Sequence, residues 1–203
     1  MRNWWLEGSD KVSIKNGRMY IDANDPDGSG SDIYCTIWCK NKIEGKNVNI
    51  KFDACVLDSK TGVNNINFFL NYSDPEDKDI YETRSARESG AYTLYHDLNG
   101  YIFTYLRDIA GEREFVNGVP QGRVRIRRCP GFNMIAESYT YNAEAGKVRE
   151  IEIIKRGGDI SYKVDGMILC QVEDEDSWNS GYFGLRTYMT SLWVDNFVVT
   201  ELE

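Results

Sequence analysis

Lys147-Val148-Arg149-Glu150-Ile151-Glu152-Ile153-Ile154-Lys155-Arg156-Gly157-Gly158-Asp159-Ile160-Ser161-Tyr162-Lys163-Val164-Asp165-Gly166-Met167-Ile168-Leu169-Cys170-Gln171-Val172 is the stretch that decides the fold. Val148, Glu150, Glu152 and Ile154 alternate with Arg149, Ile151 and Ile153, and a period of two is that of a strand. Gly157-Gly158 and Asp165-Gly166 supply residues that tolerate a positive φ, so they read as tight turns. The stretch is therefore three strands in a meander: Lys147–Lys155, Ile160–Val164 and Met167–Val172. Ser180-Gly181-Tyr182-Phe183-Gly184-Leu185-Arg186 follows, and Trp193–Thr200 reads as a closing strand.

Upstream, strand signals continue. Val48–Leu57, Ile66–Tyr72, Tyr101–Leu106 and Leu192–Val199 are rich in β-branched and aromatic residues. Asn16-Gly17, Asn99-Gly100 and Asn117-Gly118 read as further turns between strands. No long segment carries a helical period; one helical turn is expected over Tyr81–Arg87, after Asp74-Pro75. The order of elements in the last third, with its Gly184-Leu185-Arg186 and Val194-Asp195-Asn196-Phe197 steps, resembles the ending of concanavalin-A-like and laminin-G-like jelly rolls. The expected fold is all-β, a concanavalin-A-like two-sheet antiparallel jelly-roll sandwich forming one domain over residues 1–203. That ending recurs in lectins, glycanases, lyases and non-catalytic modules, so it speaks to fold and not to function.

Composition removes several function classes. The formal net charge is −8, from 32 acidic and 24 basic residues. An acidic surface repels phosphodiester backbones, so no nucleic-acid partner is expected. No run of residues approaches a membrane span, so no membrane partner is expected either. Cys35, Cys39, Cys55, Cys129 and Cys170 form no CxxC pair, and the chain has one histidine, so a zinc site is not expected. Buried free thiols in a reducing compartment fit better. Taking Met1 as the native start, with no signal-peptide pattern after it, the expected location is cytoplasmic. No oligomeric state can be read.

The most distinctive segment is Ser89-Gly90-Ala91-Tyr92-Thr93-Leu94-Tyr95-His96, followed by Asp97-Leu98-Asn99-Gly100-Tyr101-Ile102-Phe103-Thr104-Tyr105-Leu106-Arg107. Read as a hairpin turning at Asn99-Gly100, it places Tyr92, Leu94 and His96 on one face. Tyr101, Phe103, Tyr105 and Arg107 then share a face of the next strand. His96 is either a structural histidine at a strand end or a proton-transfer group. Arg123, Arg125 and Arg127 alternate with Val124 and Ile126, giving a basic stripe that is either a solvated edge or a ledge for acidic sugars. This set suits β-elimination from a uronate. Arg107 or Arg127 would clamp the carboxylate, His96 take the proton, and Tyr105 or Tyr92 protonate the leaving oxygen. Hydrolysis needs two carboxylates facing one bond; Glu150 and Glu152 share a face but read as a solvated exterior. The loops with Asp25, Asp27 and Asp32 and with Asp74, Glu76, Asp77 and Asp79 could offer oxygen ligands to calcium but lack the EF-hand spacing. No resident cofactor or metal is expected from them.

The Ser89–Arg107 segment resembles the YesU-like family of bacterial proteins, which carries a Ser-Gly-x-Tyr-x-x-Tyr-His run, a turn, and Tyr-x-x-x-Tyr-x-Arg. Supporting matches are Leu6-Glu7-Gly8, Asn16-Gly17-Arg18-Met19, Trp38-Cys39 and Arg128-Cys129-Pro130-Gly131-Phe132, so the resemblance spans nearly the whole chain. Position 133 is Asn, where some members carry His. The resemblance implies a concanavalin-A-like fold and a setting in pectic polysaccharide breakdown. The resulting expectation is a carbohydrate-active protein with an oligosaccharide partner, acting on uronate-containing oligosaccharides by elimination. A non-catalytic carbohydrate-binding or accessory domain is the alternative, and a scaffold without a glycan site is the second. The expected catalytic residues are His96, Tyr105 and Arg107; the expected ligand-binding residues are Tyr92, Tyr95, Tyr101, Arg125, Arg127 and Asn133.

Overall fold

The computed structural model describes residues 2–25, 27, 30–107, 115, 116 and 119–203. The chain runs through β1 (Trp4–Gly8), β2 (Val12–Lys15), β3 (Arg18–Asp22), β4 (Tyr34–Cys39) and β5 (Asn47–Asp58). It continues with β6 (Ile66–Ser73), β7 (Asn99–Arg107), β8 (Phe115–Val116), β9 (Val119–Cys129) and β10 (Asn133–Tyr141). It closes with β11 (Val148–Arg156), β12 (Asp159–Val164), β13 (Met167–Glu173), β14 (Tyr182–Tyr188) and β15 (Ser191–Glu201). Two sheets result. The first runs β1-β4-β14-β6-β7-β9-β10, with β8 paired to β9; the second runs β13-β12-β11-β5-β15-β3-β2. Strand pairing is antiparallel throughout.

Alternation along each strand sends one set of side chains into the gap between the sheets. Ile37, Phe68, Phe103 and Ile126 from the first sheet meet Phe52, Ile151, Ile153 and Tyr162 from the second. A second apolar cluster lies on the opposite, outer face of the first sheet. There Trp5, Trp38, Phe69, Tyr72 and Ile102 are covered by Ile80, Tyr95 and Leu98 of the segment between β6 and β7. A register shift in β6, with Asn71 at φ 56, lets Leu70 point inward and Tyr72 outward although they are two residues apart.

The C-terminal meander is as the sequence indicates, and Asp165 and Gly166 sit at φ 51 and 78, the geometry of a tight hairpin turn. Asn16 and Gly17, at φ 51 and 83, do the same between β2 and β3. The Asn99-Gly100 pair does not: it opens β7 instead of joining two strands. Gly100 lies at φ 138, and a Cβ there would come within 2.5 Å of the Tyr72 ring. The glycine serves close packing, so the hairpin expected here is absent. Tyr92–Tyr95 is a 3-10 turn, not a strand, which removes the alternation assumed for Tyr92, Leu94 and His96. The expected turn at Tyr81–Arg87 narrows to a 3-10 turn at Arg84–Arg87. The Asn117-Gly118 turn, and Pro26, Gly28 and Ser29 of the first acidic loop, lie outside the described residues. Among the described residues, no helix is long and apolar enough to cross a membrane.

Candidate functional site

Because neighbouring strands keep register, residues directly opposite one another form rows across a sheet face. One row crosses the outer face of the first sheet through Glu7, Thr36, Arg186, Asn67, Thr104, Arg125 and Glu137. Every member is polar. The row beside it, Trp5, Trp38, Gly184, Phe69, Ile102 and Arg127, is mostly apolar and carries the covered aromatic cluster. The covering segment thus stops at the boundary between an apolar row and a polar one, leaving the centre of the polar row open.

That opening is a cavity of about 340 Å³. Its floor is Asn67, Thr104, Arg125 and Arg186, and its walls include Tyr34, Tyr92, Tyr188, Arg107 and Arg123. Tyr34 and Tyr188 are opposite neighbours on β4 and β14 and stack with centroids 5.3 Å apart, 21° from parallel. Arg186 lies 4.5 Å from the Tyr92 ring centre and 5.3 Å from that of Tyr34, and its Nη2 donates to Gly90 O at 3.1 Å. Asn67 donates to Asn65 Oδ1 at 2.8 Å, leaving its own oxygen free. Among the described residues, Asn67 Oδ1, Arg125 Nε and Arg186 Nε have no hydrogen-bond partner. Buried polar atoms are usually satisfied, so this set shows that the polar row beneath the cavity leaves part of its hydrogen-bonding capacity unused.

The cavity is cationic inside an acidic molecule. No Asp or Glu lines it among the described residues. Arg123 is paired with Glu137 on β10. Arg125 is held down to about 10 by burial and by the neighbouring charges of Arg127 and Arg123. Burial likewise lowers Arg186 and Arg127. Desolvated guanidiniums without carboxylate partners favour an arriving anion. Burial raises the Tyr92 phenol, an effect opposed by Arg186 and Arg127, so the hydroxyl stays protonated near neutral pH and is available as a donor.

Of the nine residues expected from sequence, Tyr92, Arg107 and Arg125 line this cavity. Arg127 continues the β9 stripe beyond it, with its guanidinium 4.3 Å from the Phe132 ring centre. His96 lies beside the site: its ring stacks on Phe132 at 3.8 Å and meets Tyr92 edge-on at 4.9 Å. Burial, then Arg127 and Arg186, push its pKa below the usual histidine value, so it is neutral at pH 7. Tyr101 and Tyr105 do share a face, but it is the face between the sheets, since Phe103 between them belongs to the same core. Their hydroxyls go to Asp174 Oδ2 at 2.6 Å and to Tyr141 O at 3.0 Å. Tyr95 is buried in the covered cluster and donates to Glu7 Oε2 at 2.8 Å. Asn133 is exposed at the start of β10 and donates to Pro130 O. The expected meeting of His96 with Tyr105 therefore does not occur, because the 3-10 turn and the inward face of β7 separate them.

Sequence reasoning did not single out Arg186, Tyr34, Tyr188, Asn67 or Thr104. Arg186 had a visible signal, a charge directly after the uncharged Tyr182–Leu185 run and within the same strand. The others became neighbours only through strand register. Glu150 and Glu152 face solvent on the second sheet, paired with Lys51 and Lys163. In the second acidic loop, Asp79 accepts from Tyr182 and Lys42, and Glu76 pairs with Lys78. Among the described residues, no group of three or more Asp, Glu, His or Cys side chains could hold a metal ion.

The fold has well-matched relatives among solved structures. A protein of unknown function with a galectin-like fold from Bacillus subtilis superposes with a TM-score of 0.76 at 17% identity, over 98% of this chain and 90% of that one. A carbohydrate binding module, CBM66 from Bacillus subtilis, gives 0.62 at 14% identity, over 98% and 96%. The exoplasmic/lumenal domain of VIP36, in a Ca2+/Man3GlcNAc-bound form, gives 0.67 at 12% identity, over 98% and 84%. No curated protein matches the sequence. Of the resemblance to YesU-like proteins, these comparisons carry the concanavalin-A-like sandwich. Residues 30–197 match the family described as Domain of unknown function (DUF6250), and the chain belongs to that family.

Proposed function

We propose that this chain is a carbohydrate-binding module whose outer-face cavity takes an acidic sugar. The carrying observation is the cavity lining, where Arg125 and Arg186 come together with Asn67 and no Asp or Glu lines the opening among the described residues. Tyr34, Tyr92 and Tyr188 give aromatic walls on which a pyranose face can stack. Guanidinium groups match a planar carboxylate through two parallel hydrogen bonds. The sugar-binding fold neighbours support a glycan ligand, and the YesU-like resemblance supports a uronate from pectic material. Binding is preferred to elimination because, of the groups named for proton transfer, Tyr105 lies in the core and His96 stacks on Phe132 outside the cavity lining, which leaves Tyr92 in the cavity without a base beside it there.

Isothermal titration of the whole chain against oligogalacturonides, neutral galacto-oligosaccharides and mannose oligosaccharides tests this reading. The uronides should bind, and Arg125→Ala should weaken them at least tenfold. Tight binding of only the neutral sugars, or of none, would overturn it. Release of unsaturated product from the same oligogalacturonides would restore elimination as the primary activity.

A further inference from the structure

Arg186 and Arg125 belong to one row yet stand on strands separated by β6 and β7. Three inter-strand steps put their backbones roughly 14 Å apart. Their heads are also held differently. The Arg186 guanidinium is drawn toward the covering segment by Gly90 O and packs among Tyr34, Tyr92 and Tyr95. Arg125 stays in the stripe of β9, between Arg123 and Arg127. Tyr92 lines the same cavity and is an electrostatic neighbour of both. Between them on the floor, Asn67 and Thr104 offer neutral polar groups suited to hydroxyls.

Neither arginine makes an ion pair among the described residues. A ligand with one carboxylate engages one guanidinium bidentately and leaves the other desolvated and unpaired, which is unfavourable. Resting on the acidic-sugar reading above, we propose that the cavity holds two anionic groups of one oligosaccharide, one at Arg186 and one at Arg125. The ligand class is then a glycan with neighbouring acidic residues, not an isolated uronate at a chain end. The stacked Tyr34–Tyr188 pair marks the Arg186 end as the subsite where a ring face packs.

Titration calorimetry with digalacturonate, its two mono-methyl esters, galacturonate and a disulfated neutral disaccharide tests the inference. The wild-type chain should bind the diacid at least tenfold more tightly than either ester or the monomer. In Arg125→Gln, the diacid and the ester lacking the charge at that end should bind alike. Arg186→Lys, which keeps the buried charge, should reduce the bidentate preference at the other end, with thermal melts checking that each variant folds. Equal wild-type affinity for diacid and esters overturns the two-anion inference while leaving the acidic-sugar reading intact. Binding of the disulfated sugar at diacid strength assigns the shared chemistry to paired anions, not to carboxylates alone. Binding of none of the acids overturns both readings.

Discussion

Two tyrosines thirteen residues apart show how environment assigns roles to one residue type. Tyr105 is fully buried between the sheets, and its hydroxyl serves only Tyr141 O. Tyr105→Phe should lower stability by about 1 kcal/mol, the usual net worth of such a bond, and leave glycan affinity unchanged; chemical denaturation and calorimetry read the two separately. Tyr92 lines the cavity and packs on Arg186, so its truncation should act on affinity first. His96 has a pKa depressed below 6.5 in the folded state, chiefly by burial and then by Arg127 and Arg186. The unfolded chain therefore binds this proton more readily. The stability His96 contributes is complete above about pH 6.5 and is lost as pH falls through its folded pKa. His96→Gln should flatten that limb of a stability–pH curve; an unchanged limb would assign it to other groups.

At the scale of elements, the segment between β6 and β7 is what turns a flat sheet face into a cavity. It is anchored by Glu7 on β1, which accepts from Arg87 at 3.2 Å, Trp38 at 2.9 Å and Tyr95 at 2.8 Å. Arg87 also donates to Ile80 O, tying the front of the segment to the same point. Glu7 is 2% exposed. Its replacement by Gln leaves a buried guanidinium without its counter-charge, for which losses of about 3–5 kcal/mol are typical. Glu7→Gln should therefore destabilise the fold and, because Tyr92 rides on the anchored segment, weaken the ligand as well. Differential scanning calorimetry and titration at a temperature below the lowered transition distinguish the two effects. Full retention of affinity would show that Tyr92 is positioned without this anchor.

For the molecule as a whole, the cavity guanidiniums attract an acidic glycan while a net charge of −8 repels it at longer range; the contact attraction dominates, so affinity should fall with added salt, less steeply than for exposed charges. A ligand that binds only the native state should stabilise it by roughly 2.7 kcal/mol at a hundredfold excess over Kd, read as a rise in Tm. The sequence alone determined the sandwich, since two-residue alternation and glycine turns are local properties, and Ile151, Ile153 and Val164 fall inward as their pattern requires. It also determined the β9 stripe, because Arg123, Arg125 and Arg127 alternate with Val124 and Ile126 whatever lies beside them. Only the tertiary structure decided which tyrosines face a ligand. Alternation places Tyr101, Phe103 and Tyr105 on one face without saying that the second sheet covers it. Only the tertiary structure, likewise, brought Arg186 into a row with Asn67, Thr104 and Arg125, because register between strands distant in the chain is set by packing and not by neighbouring residues.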